Sequence, residues 1–259
     1  MTDPTEHHVE AAGGRARVWA KGAGEPVGVL AGLGGFPTWT PFLEALAERR
    51  RVVVPSLPGQ PGGAEFRHLD DLADWVSATL DLLEACGLEG ADLVGFGPGG
   101  ALAAEAAAFS PATVRRLVLV GPFGLFDPAE PVTDVWAKRG SEIPRLYSAK
   151  PEAYARALVP PAGQDEVEWQ VSAVRAMEAA ARLLWPIGDR GLAKRLHRIR
   201  CDTLLLWGSE DRVVPASYAK DFAAGIAGTT ETRSLEGAGH RVDFDAPEAL
   251  ARAIDTFLG

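Results

Sequence analysis

Short apolar runs alternate with amphipathic segments along most of the chain. The apolar runs have the length of a strand and stand next to turn-forming residues, which predicts strands buried on both faces of a sheet. Arg51–Pro55 is the clearest case, because its β-branched valines run into a Ser-Leu-Pro-Gly turn. The predicted strands cover residues 27–31, 51–55, 92–96, 117–120 and 203–207, with Leu235 at the centre of one more short strand.

The segments between these strands have the pattern of helices. Thr40 and Pro41 are the residue types preferred at an N-cap and at the first helical position. From Leu69 to Cys86 apolar residues recur three and four positions apart, and Gly87 is suited to end that helix. Helices are predicted over residues 41–48, 69–86, 101–109 and 247–258. Strands that alternate with helices in this order predict an α/β fold with a mostly parallel sheet flanked by helices.

One stretch, residues 121–198, has no apolar run of the strand type and is rich in aromatic residues and proline. Its spacing predicts a helix over residues 166–185. We expect this stretch to form a helical cap inserted into a core made of residues 1–120 and 199–259. Most of the aromatic residues are expected to pack the cap onto the sheet, and a few to line a pocket. The pocket candidates are Phe96, Phe123, Phe126 and Trp136.

The composition narrows the partners that the chain can have. Of its 259 residues 47% are hydrophobic and 24% are charged, which suits a folded soluble domain. The net charge of −9 argues against nucleic acid and anionic membranes as partners. The two cysteines stand alone, so neither a metal site nor a disulfide is expected. The sequence shows neither a signal peptide nor a membrane-spanning run, so we expect a cytoplasmic protein that needs no cofactor and that could form a homodimer.

A glycine-rich turn, GFGPGG at residues 95–100, joins the predicted strand 92–96 to the alanine-rich helix. A phosphate-binding loop would need lysine and serine or threonine after the glycines, whereas Ala101 and Leu102 follow here. Three more motifs complete the pattern: GLGG at 32–35, LLLWGSED at 204–211 followed by Pro215, and GAGH at 237–240 followed by Asp245 and Pro247.

In this order the four motifs resemble those of the α/β-hydrolase superfamily. The inserted helices resemble the caps of its meta-cleavage-product hydrolases, haloalkane dehalogenases and epoxide hydrolases. The resemblance implies that residues 95–100 form the nucleophile elbow and that residues 32–35 form the oxyanion loop. It further implies that Asp211 is the catalytic acid and that His240 is the catalytic histidine, in an α/β-hydrolase fold with an inserted helical cap.

Three positions depart from the pattern of that family. Gly97 stands where the resemblance places the nucleophile, so no side chain is available there for attack. Pro98 follows it, and proline has no backbone N–H to offer an oxyanion hole. Ala31 precedes Gly32 and Leu33 of the oxyanion loop, at a position where many relatives have histidine. Together these differences predict that the chain does not act by serine acyl transfer.

His240 and Asp211 are the candidate catalytic pair. A carboxylate bonded to one imidazole nitrogen orients the ring and leaves the other nitrogen as a general base. The alternative is a relic that merely ties two loops together.

Three functions are compatible with these residues. The one we expect is an enzyme that uses His240 and Asp211 as a general base on an apolar small molecule under the cap. Its reaction would be isomerisation, elimination, decarboxylation, cyclisation, cofactor-free oxygenation or direct attack by water. The second is a ligand-binding pseudo-hydrolase without catalysis. The third is a hydrolase with another nucleophile, of which Ser56, Ser110 and Ser209 are candidates by residue type only.

Overall fold

In the residues that the computed structural model describes, 3–11 and 13–259, eight strands form one sheet with the order β1-β2-β4-β3-β5-β6-β7-β8. The hairpin β1-β2 is antiparallel and joins β4 in antiparallel pairing, whereas β4, β3, β5, β6, β7 and β8 pair in parallel. The strands are β1 Thr5–Ala11, β2 Gly14–Lys21, β3 Pro26–Leu30, β4 Arg51–Pro55, β5 Ala91–Phe96, β6 Val114–Val120, β7 Asp202–Gly208 and β8 Thr230–Leu235. The mostly parallel sheet is therefore confirmed.

Helices cover both faces of the sheet. They are α1 Pro41–Ala47, α2 Leu72–Ala85, α3 Gly97–Phe109, α4 Ile143–Tyr147, α5 Pro151–Ala157, α6 Glu166–Leu184, α7 Tyr218–Gly225, α8 Val242–Asp245 and α9 Pro247–Leu258. Short 3₁₀ turns lie at Val135–Ala137, Leu192–Lys194 and Leu196–Arg198. No helix in the described ranges combines the length and the apolar character needed to cross a membrane.

Alternation along the central strands divides the core into two layers. In β7, Leu204 and Leu206 pack in the layer with α1 and α9, whereas Leu205 packs in the opposite layer with α2 and α3. The same alternation holds in β6, where Leu117 and Val118 face opposite layers. Because these strands are buried on both faces, they appear in the sequence as continuous apolar runs.

Several boundaries differ from those expected from the sequence, and β6 begins at Val114 rather than at residue 117. Helix α2 begins at Leu72 rather than at residue 69, because Asp71 and Asp74 form a capping box that fixes its first turn. Helix α3 begins at Gly97 rather than at residue 101, because the glycine-rich turn is itself the first helical turn. Leu235 is the last residue of β8 rather than its centre.

Residues 121–198 contain only helices and loops in this structure. Helix α6 matches the expected helix 166–185 to within one residue and buries Ala176, Ala179 and Leu183. The division into a core and a separate cap stays a prediction, and residues 1, 2 and 12 of the expected core lie outside the described residues.

Candidate active site

The turn between β5 and α3 is built by close approach of backbone to backbone. A Cβ at Gly95 would lie 2.7 Å from the Gly100 Cα, and a Cβ at Gly99 would lie 2.3 Å from the Ala31 carbonyl oxygen. Neither position can therefore carry a side chain. Between them Gly97 has φ +47°, in the left-handed region. The strained turn places residue 97 at the carboxyl end of the central strand β5.

His240 and Asp211 meet beside this turn. Asp211 follows β7 and His240 lies between β8 and α8, so both are on loops at the carboxyl edge of the sheet. The His240 Nδ1 atom lies 2.9 Å from Asp211 Oδ2, and the two side chains are only 3% and 1% exposed. The other carboxylate oxygen of Asp211 accepts hydrogen bonds from the backbone N–H groups of Val213 and Val214 at 2.8 and 3.0 Å. The carboxylate is thus held in one orientation.

The second ring nitrogen of His240 faces the turn. A Cβ at Gly97 would lie 3.4 Å from His240 Nε2, which is ordinary contact distance. A carboxylate can only accept hydrogen bonds, so Nδ1 is the nitrogen that donates to Asp211, and in the neutral ring Nε2 then carries the lone pair. Phe123 packs edge-on against the imidazole at 5.9 Å between ring centroids, and its backbone N–H donates to the Gly97 carbonyl at 3.1 Å. The base is therefore fixed on two sides and open toward residue 97.

Two of the cavities near this arrangement differ greatly in size. The smaller, of about 10 Å³, is lined by Gly32, Leu33, Phe36, Phe96, Gly97, His240, Arg241 and Asp243. Its volume is about that needed for one water molecule. The larger, of about 320 Å³, is mostly apolar, and its walls include Leu33, Pro37, Tyr147, Tyr154, Trp169, Met177 and Arg241. Leu33 and Arg241 line both cavities, so the larger cavity is next to the one that His240 lines.

Comparison with known proteins agrees with the fold described above. A family model described as "Alpha/beta hydrolase family" matches residues 29–253. The chain belongs to the alpha/beta hydrolase family. It is 30% identical over 270 residues to a 2-hydroxymuconate semialdehyde hydrolase of Pseudomonas sp. strain CF600, covering 96% of this chain and 92% of that protein.

Other relatives of this alpha/beta hydrolase give a consistent picture. It is 29% identical over 255 residues to a 2-hydroxy-6-oxo-2,4-heptadienoate hydrolase of Pseudomonas putida strain F1, covering 92% of this chain and 90% of that protein. A meta-cleavage product hydrolase from Pseudomonas fluorescens IP01 is similar in structure, with a TM-score of 0.72 and 20% identity over 97% of each chain. That likeness confirms the α/β-hydrolase fold.

The function expected from the sequence alone is wrong. We expected an enzyme acting outside serine-type hydrolysis, with a pseudo-hydrolase as the alternative. Relatives matched over nearly the whole chain are instead named as hydrolases of small molecules, which points to a hydrolytic enzyme. The departures at residues 97 and 98 therefore do not by themselves exclude hydrolysis.

The structure brings together most of the site residues that the sequence singled out. Gly32, Leu33, Phe96, Gly97 and His240 line the smaller cavity, and Asp211 and Phe123 contact His240 from outside it.

Two further site candidates, Ala31 and Pro98, lie next to the turn between β5 and α3. The Ala31 carbonyl accepts a hydrogen bond from the Gln60 side chain at 3.2 Å, and Pro98 is buried in the first turn of α3.

Three of the expected pocket residues lie outside the walls of these two cavities. Phe123, Phe126 and Trp136 line neither of them, and their place in a pocket stays a prediction. The Trp136 indole N–H donates to the Met177 carbonyl at 3.1 Å, which ties the 3₁₀ turn Val135–Ala137 to α6. This bond holds Trp136 against α6.

Several functional residues were missed from the sequence. Tyr147, Tyr154 and Trp169 lie on α4, α5 and α6 and line the larger cavity. The sequence analysis did not include Arg241 among the site residues. Its position directly after His240 is the feature of the sequence that could have indicated it. Its guanidinium makes a bidentate pair with Asp243, with both bonds 2.8 Å, and donates to the Tyr154 hydroxyl at 2.9 Å.

The electrostatics of Arg241 follow from this pairing. Burial alone would lower the pKa of the guanidinium, but the charge of Asp243 and the hydrogen bonds from Arg241 to Asp243 and Tyr154 outweigh it and raise the pKa. Arg241 therefore stays charged in the site.

A metal centre is not part of this arrangement as far as the chain is described, since no group of three or more His, Cys, Asp or Glu side chains is placed to hold an ion.

Proposed function

We propose that the chain hydrolyses a small, largely apolar molecule at a bond next to a carbonyl group. The observation that carries the proposal is the His240–Asp211 pair, 2.9 Å apart and buried, with Nε2 directed at residue 97 of the turn. Two relatives are named as hydrolases of a semialdehyde and of an oxo compound, which supports the proposal that the substrate contains a carbonyl group. The 320 Å³ apolar cavity beside the pair supports its size and character.

His240 acts as the base and then as the acid. Its Nε2 atom takes a proton from a water molecule as the oxygen of that water attacks the carbonyl carbon, and the imidazolium that forms is stabilised by the buried Asp211 carboxylate. The ring then returns the proton to the leaving group as the bond breaks. Over the full reaction the elements of water are added across that bond. Asp211 keeps the proton on Nδ1 throughout.

Two finer assignments belong to this proposal. Residues 121–198 act as the cap, since α4, α5 and α6 supply Tyr147, Tyr154 and Trp169 to the wall of the larger cavity. Residue 97 occupies the position from which the family's nucleophile faces the histidine, as its left-handed φ and its distance to Nε2 support. The Leu33 side of the loop after β3 faces the same small cavity and is where the carbonyl oxygen of the substrate would lie.

The test is hydrolysis of 4-nitrophenyl butyrate and of 2-hydroxy-6-oxo-2,4-heptadienoate by the purified chain. His240→Ala is expected to lower kcat/KM roughly 100- to 10,000-fold, because a positioned general base contributes about that much. Asp211→Asn is expected to lower it at least about 100-fold, since the ring loses its tautomer and orientation.

The matched control is His197→Ala, which removes a surface histidine far from the pair. Its rates should equal those of the unaltered chain. Equal rates for the His240→Ala variant and the unaltered chain would disprove the role of the pair, and no hydrolysis of either compound would count against the proposed reaction.

A further inference from the structure

The hydroxyl of Tyr147 has no hydrogen-bond partner in the structure although it is buried. The residue is 4% exposed and lines the 320 Å³ cavity together with Tyr154 and Arg241. Buried hydroxyl groups in proteins are nearly always paired, because leaving one unpaired is unfavourable. Tyr147 is a wall residue of a ligand-sized cavity, so a polar atom of a bound ligand is a candidate partner for its unpaired hydroxyl.

Tyr147 can serve as a donor at any physiological pH. Burial raises the pKa of its phenol, the neighbouring Tyr154 raises it further, and the positive charge of Arg241 offsets this only in part. The phenol therefore keeps its proton and has one O–H to donate.

The charge at this end of the cavity is already balanced. Among the described residues that line the cavity, Arg241 is the one charged side chain. Its charge is matched by Asp243, whose two carboxylate oxygens both accept from the guanidinium. The Asp243 side chain is 3% exposed, so solvent does little to weaken this pairing. A carboxylate entering the cavity would lose its water without gaining an uncompensated positive charge.

We propose that the Tyr147 hydroxyl donates a hydrogen bond to an uncharged oxygen of the ligand, such as a ketone, ester or amide carbonyl. The cavity consequently prefers neutral carbonyl compounds to carboxylates of the same shape. Tyr147 is then a specificity residue that touches the substrate. The inference rests on the proposed function only for the identity of this cavity as the substrate pocket. It differs from what one relative's name suggests, because 2-hydroxy-6-oxo-2,4-heptadienoate is a carboxylate.

Binding of unreactive ligands tests this without relying on turnover. The probes are 4-phenyl-2-butanone, the similarly shaped 3-phenylpropionate, and isopentylbenzene, which lacks the oxygen. Titration would be followed by tryptophan fluorescence, since Trp169 lines the cavity. The unaltered chain should bind the ketone more tightly than the carboxylate, and tighter binding of the carboxylate would overturn the proposal.

Tyr147→Phe removes only the hydroxyl. It should weaken binding of the ketone about 3- to 10-fold, the usual effect of one lost hydrogen bond, and leave isopentylbenzene unchanged. Tyr218→Phe is the matched control, because the Tyr218 hydroxyl bonds to the backbone of Asp127 and Glu130 instead. Equal weakening of ketone and hydrocarbon in Tyr147→Phe would show a packing effect and overturn the proposal.

Asp243→Asn tests the charge balance. Loss of the carboxylate leaves the charge of Arg241 unmatched, so the preference should move toward 3-phenylpropionate by about tenfold or more. The double variant Arg241→Gln, Asp243→Asn is neutral again and should return the preference to the ketone. A preference unchanged in both variants would contradict the charge argument. If the chain binds the ketone through Tyr147 but hydrolyses no ester, the inference stands and the proposed reaction fails.

Discussion

Gly121 lies against the carboxylate of Asp211: a Cβ at position 121 would be 3.0 Å from Asp211 Oδ2. The same Cβ would be 3.3 Å from His240 Nδ1, so it would press on both atoms of the hydrogen bond. Gly121 follows the last residue of β6 and has φ +49°, in the left-handed region. The residue that follows the neighbouring strand has no side chain, which leaves room for the two groups to meet.

Gly121→Ala should therefore uncouple the pair. We expect hydrolysis of 4-nitrophenyl butyrate to fall roughly 10- to 100-fold, because a small displacement of the base is enough to misalign it. The positive φ adds a loss of stability of about 1–2 kcal/mol. The control is Gly87→Ala, where φ is +65° and a Cβ would meet nothing within 4 Å. It should lose stability similarly in thermal unfolding and keep its activity. Equal activity of the two variants would show that Gly121 does not protect the pair.

Trp136 and Trp169 are expected to differ in role, because Trp136 bonds to Met177 whereas Trp169 lines the larger cavity. Trp136→Phe should lower stability by about 0.5–1.5 kcal/mol through the lost bond to Met177, and leave KM unchanged. Trp169→Ala should raise KM severalfold, because it removes part of the cavity wall. Steady-state kinetics and denaturant unfolding on both variants check this. A raised KM for Trp136→Phe would show that Trp136 contributes to the substrate pocket.

How far the sequence predicts this molecule depends on where the determining contacts lie. Helix α9 has the bounds expected from its spacing, and β4 has those expected from its valines. The hairpin of β1 and β2 was missed because β1 is mostly exposed and has no apolar run. Local pattern is sufficient where an element is buried in the usual way, and insufficient at a polar sheet edge.

The site shows the same limit. His240 and Asp211 could be paired from the sequence because each lies in a short motif with a fixed place in the fold. The cavity wall could not be predicted in that way. Arg241 meets Tyr154 across 87 positions of sequence, and the contact depends on how α5 packs against the loop after β8. No pattern within either segment indicates the other.

Asp92 predicts how stability responds to acid. Burial alone would raise the pKa of this carboxyl, but hydrogen bonds from Arg116 and Arg115 and their charges outweigh it and hold the pKa below its usual value. A carboxyl with a lowered folded-state pKa stabilises the fold above its unfolded pKa, near 4, and loses that contribution as pH falls further. Asp92→Asn should therefore be less stable at pH 7, and its deficit should shrink between about pH 4.5 and pH 2.5. Urea unfolding across that range measures it, and a deficit that does not change with pH would contradict the assignment.

Gly97→Ser examines the turn itself. A serine Cβ would lie 3.4 Å from His240 Nε2, so its hydroxyl can reach hydrogen-bond distance of the base. We expect the variant to form an acyl-enzyme with 4-nitrophenyl butyrate, visible by intact mass spectrometry, whereas Gly97→Ala adds the Cβ without the oxygen and should form none. Turnover should nevertheless stay low, because Pro98 follows and has no backbone N–H for the tetrahedral oxyanion.

Adding Pro98→Met to Gly97→Ser should relieve that limit. The new backbone N–H stands at the start of α3, next to the position that the oxyanion would take, and one such donor is worth about 100- to 1,000-fold in rate. The double variant should therefore hydrolyse the ester faster than Gly97→Ser, while Pro98→Met alone should form no acyl-enzyme. Fast turnover by Gly97→Ser without the second change would show that another group already stabilises the oxyanion. Leu33, which lines both cavities, and Tyr147, which lines the larger one, would then be the first residues to substitute, singly and together.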